Sequence, residues 1–162
     1  MADDPASAQA AAPARGLRVT AKSLVAAANA QITTLSVADA AALRERSDHL
    51  FVDLRDVREL ERDGTIPDAF HSPRGMLEFW VDPDSPYFKN EFGQGKTYVF
   101  FCQSGWRSAI ATKAVQDMGL SPVAHIDGGF RAWAEANGDR QSYEDNRAAY
   151  KARKAANSEK HS

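Results

Sequence analysis

The residue best suited to covalent chemistry in this sequence is Cys102, the single cysteine among 162 residues. It follows the β-branched and aromatic run 97–101, and a short polar loop containing Gly105 leads from it into the helix-like segment 109–115. Backbone N–H groups and the dipole at a helix N-terminus favour a thiolate and bind anions. The pattern therefore indicates a nucleophile, although a buried cysteine that only packs in the core fits this position equally well.

Other polar groups also follow predicted strands. Asp53 and Arg55 end one apolar run, and the turn 127–129 follows another. Strands that alternate with helices at short intervals predict an α/β domain with a mainly parallel central sheet flanked by helices. Ligands bind outside the carboxyl ends of the strands in such sheets. Because three polar segments are expected at that edge, the nucleophile interpretation of Cys102 is strengthened.

The composition divides the chain into three parts. These are a disordered N-terminal tail over 1–16, a single domain over 17–138 that begins with a helix over 17–30, and a charged C-terminal extension over 139–162. In the first helix Val19, Leu24, Val25 and Ala28 are expected to share one apolar face. The extension contains two tyrosines, Tyr143 and Tyr150, seven positions apart. This spacing predicts a helix docked on the domain or on a partner.

The remaining elements are expected in alternation. In order they are strand 32–35, helix 37–46, strand 49–54, helix 57–62, an extended piece 66–71, a helical cluster 76–81, a loop 82–96, strand 97–101, helix 109–115, strand 123–126 and helix 130–137. Ser36 is the predicted N-cap of the second helix, and Gly119 the residue that ends the helix after Cys102.

Composition limits the function classes. A formal net charge of -2 gives no support for a nucleic-acid partner. A lone cysteine excludes an internal disulfide framework and a cysteine-based zinc cluster, so we expect no metal and no cofactor. The acidic start lacks the apolar segment of a secretory signal, and no stretch is long enough to span a membrane. A cytoplasmic protein without a membrane partner is therefore expected.

Several motifs together resemble the rhodanese-like sulfurtransferases, and in particular a bacterial single-domain branch of that family. The matching segments are Val52-Asp53-Leu54-Arg55, residues 64–69, Gly75 to Trp80, Tyr98 to Ser108, and Asp127-Gly128-Gly129-Phe130-Arg131-Ala132-Trp133. The resemblance extends from about residue 32 to residue 138. Asp68 stands where the family usually has glycine. Because Asp tolerates a positive φ better than most residues, we expect a local adjustment at this position.

The resemblance implies transfer of sulfane sulfur. A donor such as thiosulfate would place its sulfur on Cys102 as a persulfide, and a thiol, cyanide or a protein acceptor would then remove it. Amides of the loop would cradle the sulfur as an anion-binding nest, and arginines would guide the anionic donor. The predicted substrate-binding residues are Gln103, Ser104, Gly105, Trp106, Arg107, Ser108, Arg55 and Asp53.

Two other functions remain open. Phosphatase and arsenate-reductase relatives have the longer pattern Cys-x5-Arg, whereas here the fifth residue after Cys102 is Arg107 and the sixth is Ser108. The shorter loop favours sulfur over phosphoryl transfer, because a sulfur atom needs a smaller cradle than a phosphate. A non-catalytic binding or regulatory module is the other alternative, with Trp106 or the tails as the docking element.

Several polar residues also have purely structural interpretations. Asp53 is expected to pair with Arg55, and Glu59 is assigned to a solvated helix face. His71 and His125 are interpreted as structural, because the sequence shows neither a metal-ligand spacing nor a histidine near the cysteine. Trp106 fits a pocket wall, a docking anchor or ordinary packing equally well. The helix 17–30 and the charged extension could mediate a homodimer.

Overall fold

A five-stranded, entirely parallel sheet forms the centre of the computed structural model, which describes residues 16–160. The strands are β1 (Thr33–Leu35), β2 (His49–Asp53), β3 (Phe70–His71), β4 (Thr97–Phe101) and β5 (Val123–Ile126). They lie in the order β1-β5-β4-β2-β3. The predicted α/β class with a mainly parallel sheet is confirmed, and β4 occupies the middle of the sheet.

Seven α-helices connect and cover the strands within the described residues. They are α1 (Ala21–Asn29), α2 (Val37–Leu43), α3 (Val57–Asp63), α4 (Leu77–Val81), α5 (Trp106–Asp117), α6 (Gly129–Glu135) and α7 (Tyr143–Lys160), with 3-10 turns at Arg74–Met76 and Asn90–Gly93. Side-chain caps define several starts: Ser36 accepts a hydrogen bond from Asp39 N at 3.1 Å, as predicted, and Asp56 caps α3. Over residues 16–160 the structure contains no helix with the length and apolar character needed to cross a bilayer.

The core lies on both faces of the sheet because successive residues of β4 point to opposite sides. Tyr98 and Phe100 pack into one cluster, which includes Leu77 of α4. Val99 and Phe101 pack into the other, which includes Trp133 of α6. Phe100 and Phe101 are fully buried. This two-sided burial agrees with the continuous apolar run seen in the sequence, and it holds the residue after β4 in a rigid position.

The N-terminal helix is shorter than predicted, and only part of its expected apolar face is buried. Thr20 caps α1 through a reciprocal pair of hydrogen bonds with Ser23. Val25 and Ala28 pack in a cluster with Ala109 of α5. The other two residues of the predicted face, Val19 and Leu24, are 56% and 48% exposed. Val19 precedes the helix, and Leu24 lies about 100° around it from Val25. The predicted disordered tail falls almost entirely on residues 1–15, which lie outside the described residues.

The C-terminal helix α7 docks on the domain. The Asn146 side chain accepts a hydrogen bond from Asp68 N at 2.7 Å and donates one to Ala69 O at 3.0 Å. Tyr150 packs on Phe70 of β3 with ring centroids 5.8 Å apart. Asp68, which stands where the family usually has glycine, has φ +72°, a positive value that Asp tolerates better than most residues. Docking on the domain, one of the two outcomes expected for the tyrosine-bearing segment, is therefore what the structure shows.

Candidate active site

Cys102 lies at the carboxyl edge of the sheet, directly after the central strand β4, and is completely buried. The turn after β5 supports it from one side. The Phe130 N–H donates to Cys102 O at 2.8 Å, and Gly129 has φ +62°. A Cβ on Gly129 would lie 2.5 Å from Cys102 O, so only glycine lets the two segments approach this closely. The predicted convergence of polar segments at this edge is therefore observed.

Two backbone donors point at the thiol sulfur. The Gly105 N–H lies 3.2 Å from Cys102 Sγ, and the Ser108 N–H lies 3.3 Å from it. Gly105 has φ +100° and is the N-cap of α5, so this 12-residue helix begins at Trp106, three residues earlier than predicted. The sulfur consequently lies at the N-terminus of the helix, where donors and dipole favour an anion. Both N–H groups are therefore placed to donate hydrogen bonds to the sulfur.

Arg55 lies beneath the loop with no exposed surface. Its guanidinium contacts both carboxylate oxygens of Asp53, at 3.0 and 2.8 Å, and donates to Gly64 O at 2.7 Å. Its remaining terminal nitrogen donates to Gln103 Oε1 at 3.2 Å, and the group lies 4.3 Å from the centre of the Phe130 ring. Asp53 thus pairs with Arg55, as its structural interpretation expected. The arginine positions the loop through Gln103 instead of presenting a free charge, and its contact with a substrate anion stays a prediction.

Arg107 lies at the rim of the site and is paired. Its guanidinium makes two hydrogen bonds of 2.9 Å to Glu59 of α3. Glu59 also accepts a hydrogen bond from Asp56 N at 2.9 Å, which closes the capping box of that helix. The hydrogen bonds from Arg107 have the largest effect on Glu59 and, with that from Asp56 N, they lower its pKa. The Glu59 carboxylate in turn raises the pKa of Arg107. The assignment of Glu59 to a solvated helix face is wrong, because the side chain is largely buried against the loop.

His125 is connected to Cys102, a relation that the sequence analysis missed. The Cys102 thiol lies 3.6 Å from Ser108 Oγ, and that hydroxyl lies 2.9 Å from His125 Nδ1. On its other side His125 Nε2 lies 2.9 Å from Asn29 Oδ1 and 3.2 Å from Thr34 Oγ1. The inference that no histidine lies near the cysteine is wrong, because β5 is the neighbour of β4 in the sheet. A histidine inside an otherwise apolar strand was the available signal.

The other predicted site residues differ in exposure. Ser104 is exposed, Gln103 is half-buried, and Trp106 is 51% exposed at the first position of α5. Ordinary core packing is therefore not the role of Trp106. His71 lies against the backbone of Arg55, with Nε2 2.7 Å from its carbonyl oxygen. Within residues 16–160 no group of three or more His, Cys, Asp or Glu side chains could hold a metal ion.

The site lies apart from two cavities, of about 420 and 580 Å³, that open beside α7. Tyr150 and Lys154 line both cavities, and neither is lined by Cys102 or its loop. The buried thiol and its loop are therefore separate from both cavities.

A central parallel strand that leads into a buried cysteine, a short loop and a helix defines an α/β domain with a cysteine at the carboxyl edge of its sheet. The chain belongs to the rhodanese-like domain family, whose model matches residues 36–136. The family resemblance seen in the sequence is thus confirmed.

Individual relatives differ in how they are described. A rhodanese domain-containing protein of Drosophila melanogaster is 31% identical over 96 residues, which cover 56% of this chain and 86% of the relative. A second relative is YtwF of Bacillus subtilis, which is named as a candidate sulfurtransferase. It is 37% identical over 82 residues, which cover 49% of this chain and 71% of YtwF. A solved structure from Rhodopseudomonas palustris is 51% identical, with a TM-score of 0.77 over 80% of this chain and 99% of that chain. That protein is described as being of unknown function and a possible tyrosine phosphatase.

Proposed function

We propose that this protein is a sulfurtransferase that moves sulfane sulfur from an anionic donor such as thiosulfate to a thiophilic acceptor through a Cys102 persulfide. The observation that supports this most directly is the pair of backbone N–H groups, from Gly105 and Ser108, that point at Cys102 Sγ. Such donors stabilise negative charge on sulfur before the reaction and after it, without any rearrangement of the loop.

The first half-reaction begins with the sulfur of Cys102 as nucleophile. The sulfur gives up its proton and attacks the outer sulfur of thiosulfate, a new S–S bond forms, and sulfite leaves with the electron pair of the bond that breaks. In the second half-reaction a thiol or cyanide attacks the outer sulfur of the persulfide, and the Cys102 thiolate is the leaving group. The lone cysteine leaves no internal resolving thiol, so the acceptor must come from outside the chain.

The buried Asp53–Arg55 pair, which lies beneath the loop, also supports the proposal. Arg55 holds Gln103 at the start of the loop, and the two 2.9 Å hydrogen bonds between Arg107 and Glu59 hold the other end. A loop fixed at both ends keeps its amides aimed at one point, which is what electrostatic preorganisation requires. The relationship to YtwF, a candidate sulfurtransferase by name, points in the same direction.

Phosphate-ester hydrolysis is the second candidate, favoured by the description of the Rhodopseudomonas palustris structure. Two features of the loop argue against it. The sixth residue after Cys102 is Ser108, where phosphatase relatives carry the arginine that closes the loop on an oxyanion. The available arginine, Arg107, is one position earlier and forms two hydrogen bonds with Glu59. Sulfur transfer is therefore the better match to the site.

Intact-mass analysis after incubation with thiosulfate tests the proposal. Wild-type protein should gain one sulfur atom, Cys102→Ser should gain none, and Arg46→Ala, a change at an exposed position outside the site, should load like wild type. Cyanide should then remove the added sulfur and release thiocyanate. A wild-type protein that stays unmodified, or a Cys102→Ser variant that still gains sulfur, would exclude the mechanism.

The same preparations test the phosphatase and the non-catalytic alternatives. Hydrolysis of an aryl phosphate that disappears in Cys102→Ser would support phosphoryl transfer instead. A protein inactive in both assays would leave the binding-module interpretation, in which the half-exposed Trp106 is the expected docking residue.

A further inference from the structure

A continuous row of hydrogen bonds runs from the thiol of Cys102 through Ser108 to His125 and on to α1. Asn29 Oδ1 can only accept, so His125 Nε2, 2.9 Å away, must carry the proton. In the neutral imidazole Nδ1 is then without a proton, and it accepts the Ser108 hydroxyl 2.9 Å away. The lone pairs of Ser108 Oγ consequently face the Cys102 thiol at 3.6 Å. All donors in this row point the same way, from the sulfur towards the imidazole.

We propose that Ser108 and His125 form a proton relay for Cys102: they accept the thiol proton as the sulfur attacks the donor, and return it when the persulfide is consumed. This inference rests on the proposed sulfur transfer. In the loading step the S–H proton passes to Ser108 Oγ while the Ser108 proton passes to His125 Nδ1, and the S–H electron pair forms the new S–S bond. In the release step the same transfers run in reverse and protonate the departing Cys102 sulfur.

The surroundings of His125 keep its imidazole in the neutral form, whose Nδ1 can accept a proton. The side chain is 2% exposed, and burial lowers its pKa to about 4, so the imidazole is neutral near neutral pH and can accept. The groups that face it are uncharged: Asn29 from α1, Thr34 from β1 and Ser108 from α5. The charged group that acts on it is Asp127, two residues along the chain, which opposes the effect of burial.

The relay gives α1 a role in the site. Asn29 is the last residue of this helix, and Val25 and Ala28 anchor the helix against Ala109 of α5. The helix that precedes the first strand therefore delivers the residue that selects the tautomer of His125. In this role Asn29 and His125 are positioning residues, and Ser108 is the group that touches the reacting sulfur.

The rate of sulfur loading as a function of pH tests the relay. Ser108→Ala and His125→Phe should slow loading at pH 7 by up to roughly 30-fold, because a thiol with the ordinary pKa of about 8.5 is only about 3% ionised there. The deficit should disappear above the free-thiol pKa of about 8.5, where the thiolate forms without help. The matched control is Thr112→Val, which removes a buried hydroxyl without a hydrogen-bond partner one turn further along α5 and should load like wild type. Equal or faster loading by both Ser108→Ala and His125→Phe at neutral pH would overturn the relay.

Asn29→Asp gives a second measurement in which the imidazole is retained. A carboxylate at Nε2 raises the pKa of His125, by about one unit or more, because it favours the charged ring. The acid limb of the loading profile, expected near pH 4 in wild type, should move to higher pH by the same amount. The shift should vanish in the double variant Asn29→Asp/Ser108→Ala. An acid limb that does not move in Asn29→Asp would contradict the proposal even if His125→Phe folds poorly.

Alkylation by iodoacetamide separates failure of the relay from failure of the sulfurtransferase proposal, because it needs no sulfur donor. With an intact relay, alkylation of Cys102 at neutral pH should be slower in Ser108→Ala than in Thr112→Val, and the two rates should converge above the thiol pKa. Slower alkylation in a protein that never accepts sulfur would support the relay and exclude the proposed function. Normal loading and alkylation in every variant would support the function and exclude the relay.

Discussion

Replacing Asp53 with alanine should destabilise the fold by about 3–5 kcal/mol, because it leaves the charge of a buried arginine without its partner. The side chains of Arg55 and Asp53 are 0% and 1% exposed, so water cannot replace the lost carboxylate. The substitution removes two side-chain hydrogen bonds from Arg55, at 3.0 and 2.8 Å, and one from Thr65, at 2.7 Å. Gly64 O and Gln103 Oε1 remain as acceptors but are uncharged.

Urea denaturation measures this effect. With a slope of about 2 kcal/mol/M, the midpoint should fall by roughly 1.5–2.5 M. Asp53→Asn keeps the shape and one acceptor oxygen and should fall between wild type and Asp53→Ala. Arg62→Ala is the matched control, because the Arg62–Asp63 pair has the same chemistry at 2.9 Å but a largely exposed arginine. An exposed pair contributes about 0–1 kcal/mol, so its midpoint should barely move.

The double variant Asp53→Ala/Arg55→Met tests whether the unpaired arginine charge causes the loss of stability. Removing both charges should cost less than the sum of the two single substitutions, since no unpaired ion is left in the core. A loss for Asp53→Ala no larger than that for Arg62→Ala would refute the argument that burial gives this pair its importance.

Three further predictions concern other contacts of the site and the fold. Gly129→Ala should cost more than about 2 kcal/mol in urea denaturation and slow sulfur loading on Cys102, because φ is +62° and the new Cβ would meet a backbone oxygen at 2.5 Å; wild-type stability would contradict this. Glu59→Gln should lower stability at neutral pH. Arg107 lowers the pKa of Glu59 in the folded state, so the stability difference between wild type and Glu59→Gln should be full above the unfolded pKa of about 4.3. This difference should decrease as the pH falls through the folded pKa of Glu59. A difference that persists in acid would contradict a stabilising role for the Glu59 charge. Asn146→Ala should cost about 1–3 kcal/mol and expose α7 to proteolysis, because it leaves the buried carbonyl of Ala69 and the partly buried N–H of Asp68 unpaired; unchanged proteolysis would argue that these hydrogen bonds do not hold α7 on the domain.

Features that depend on neighbouring residues were predictable from the sequence. The continuous apolar run of β4 predicts a strand buried on both faces, and the cap at Ser36 needs only the amide three residues on. Gly119 and Asp68 adopt a positive φ, which glycine accepts freely and Asp tolerates better than most residues. The position of Cys102 at the carboxyl end of a parallel strand followed from the same local signals. The predicted start of α5 was three residues too late, because the segment directly after Gly105 lacks the apolar periodicity that indicates a helix.

The sequence by itself determined the α/β class and the family, and it singled out Cys102 as the candidate nucleophile, because strand, loop and helix around Cys102 are local and contiguous. Only the tertiary structure decided which distant side chains reach that residue. Glu59 meets Arg107 across 48 positions, and His125 meets Ser108 across 17. These pairings depend on the strand order β1-β5-β4-β2-β3, which places β5 and β2 on either side of β4. The periodicity of a sequence indicates which face of a strand is buried, but it does not indicate which strand lies beside it.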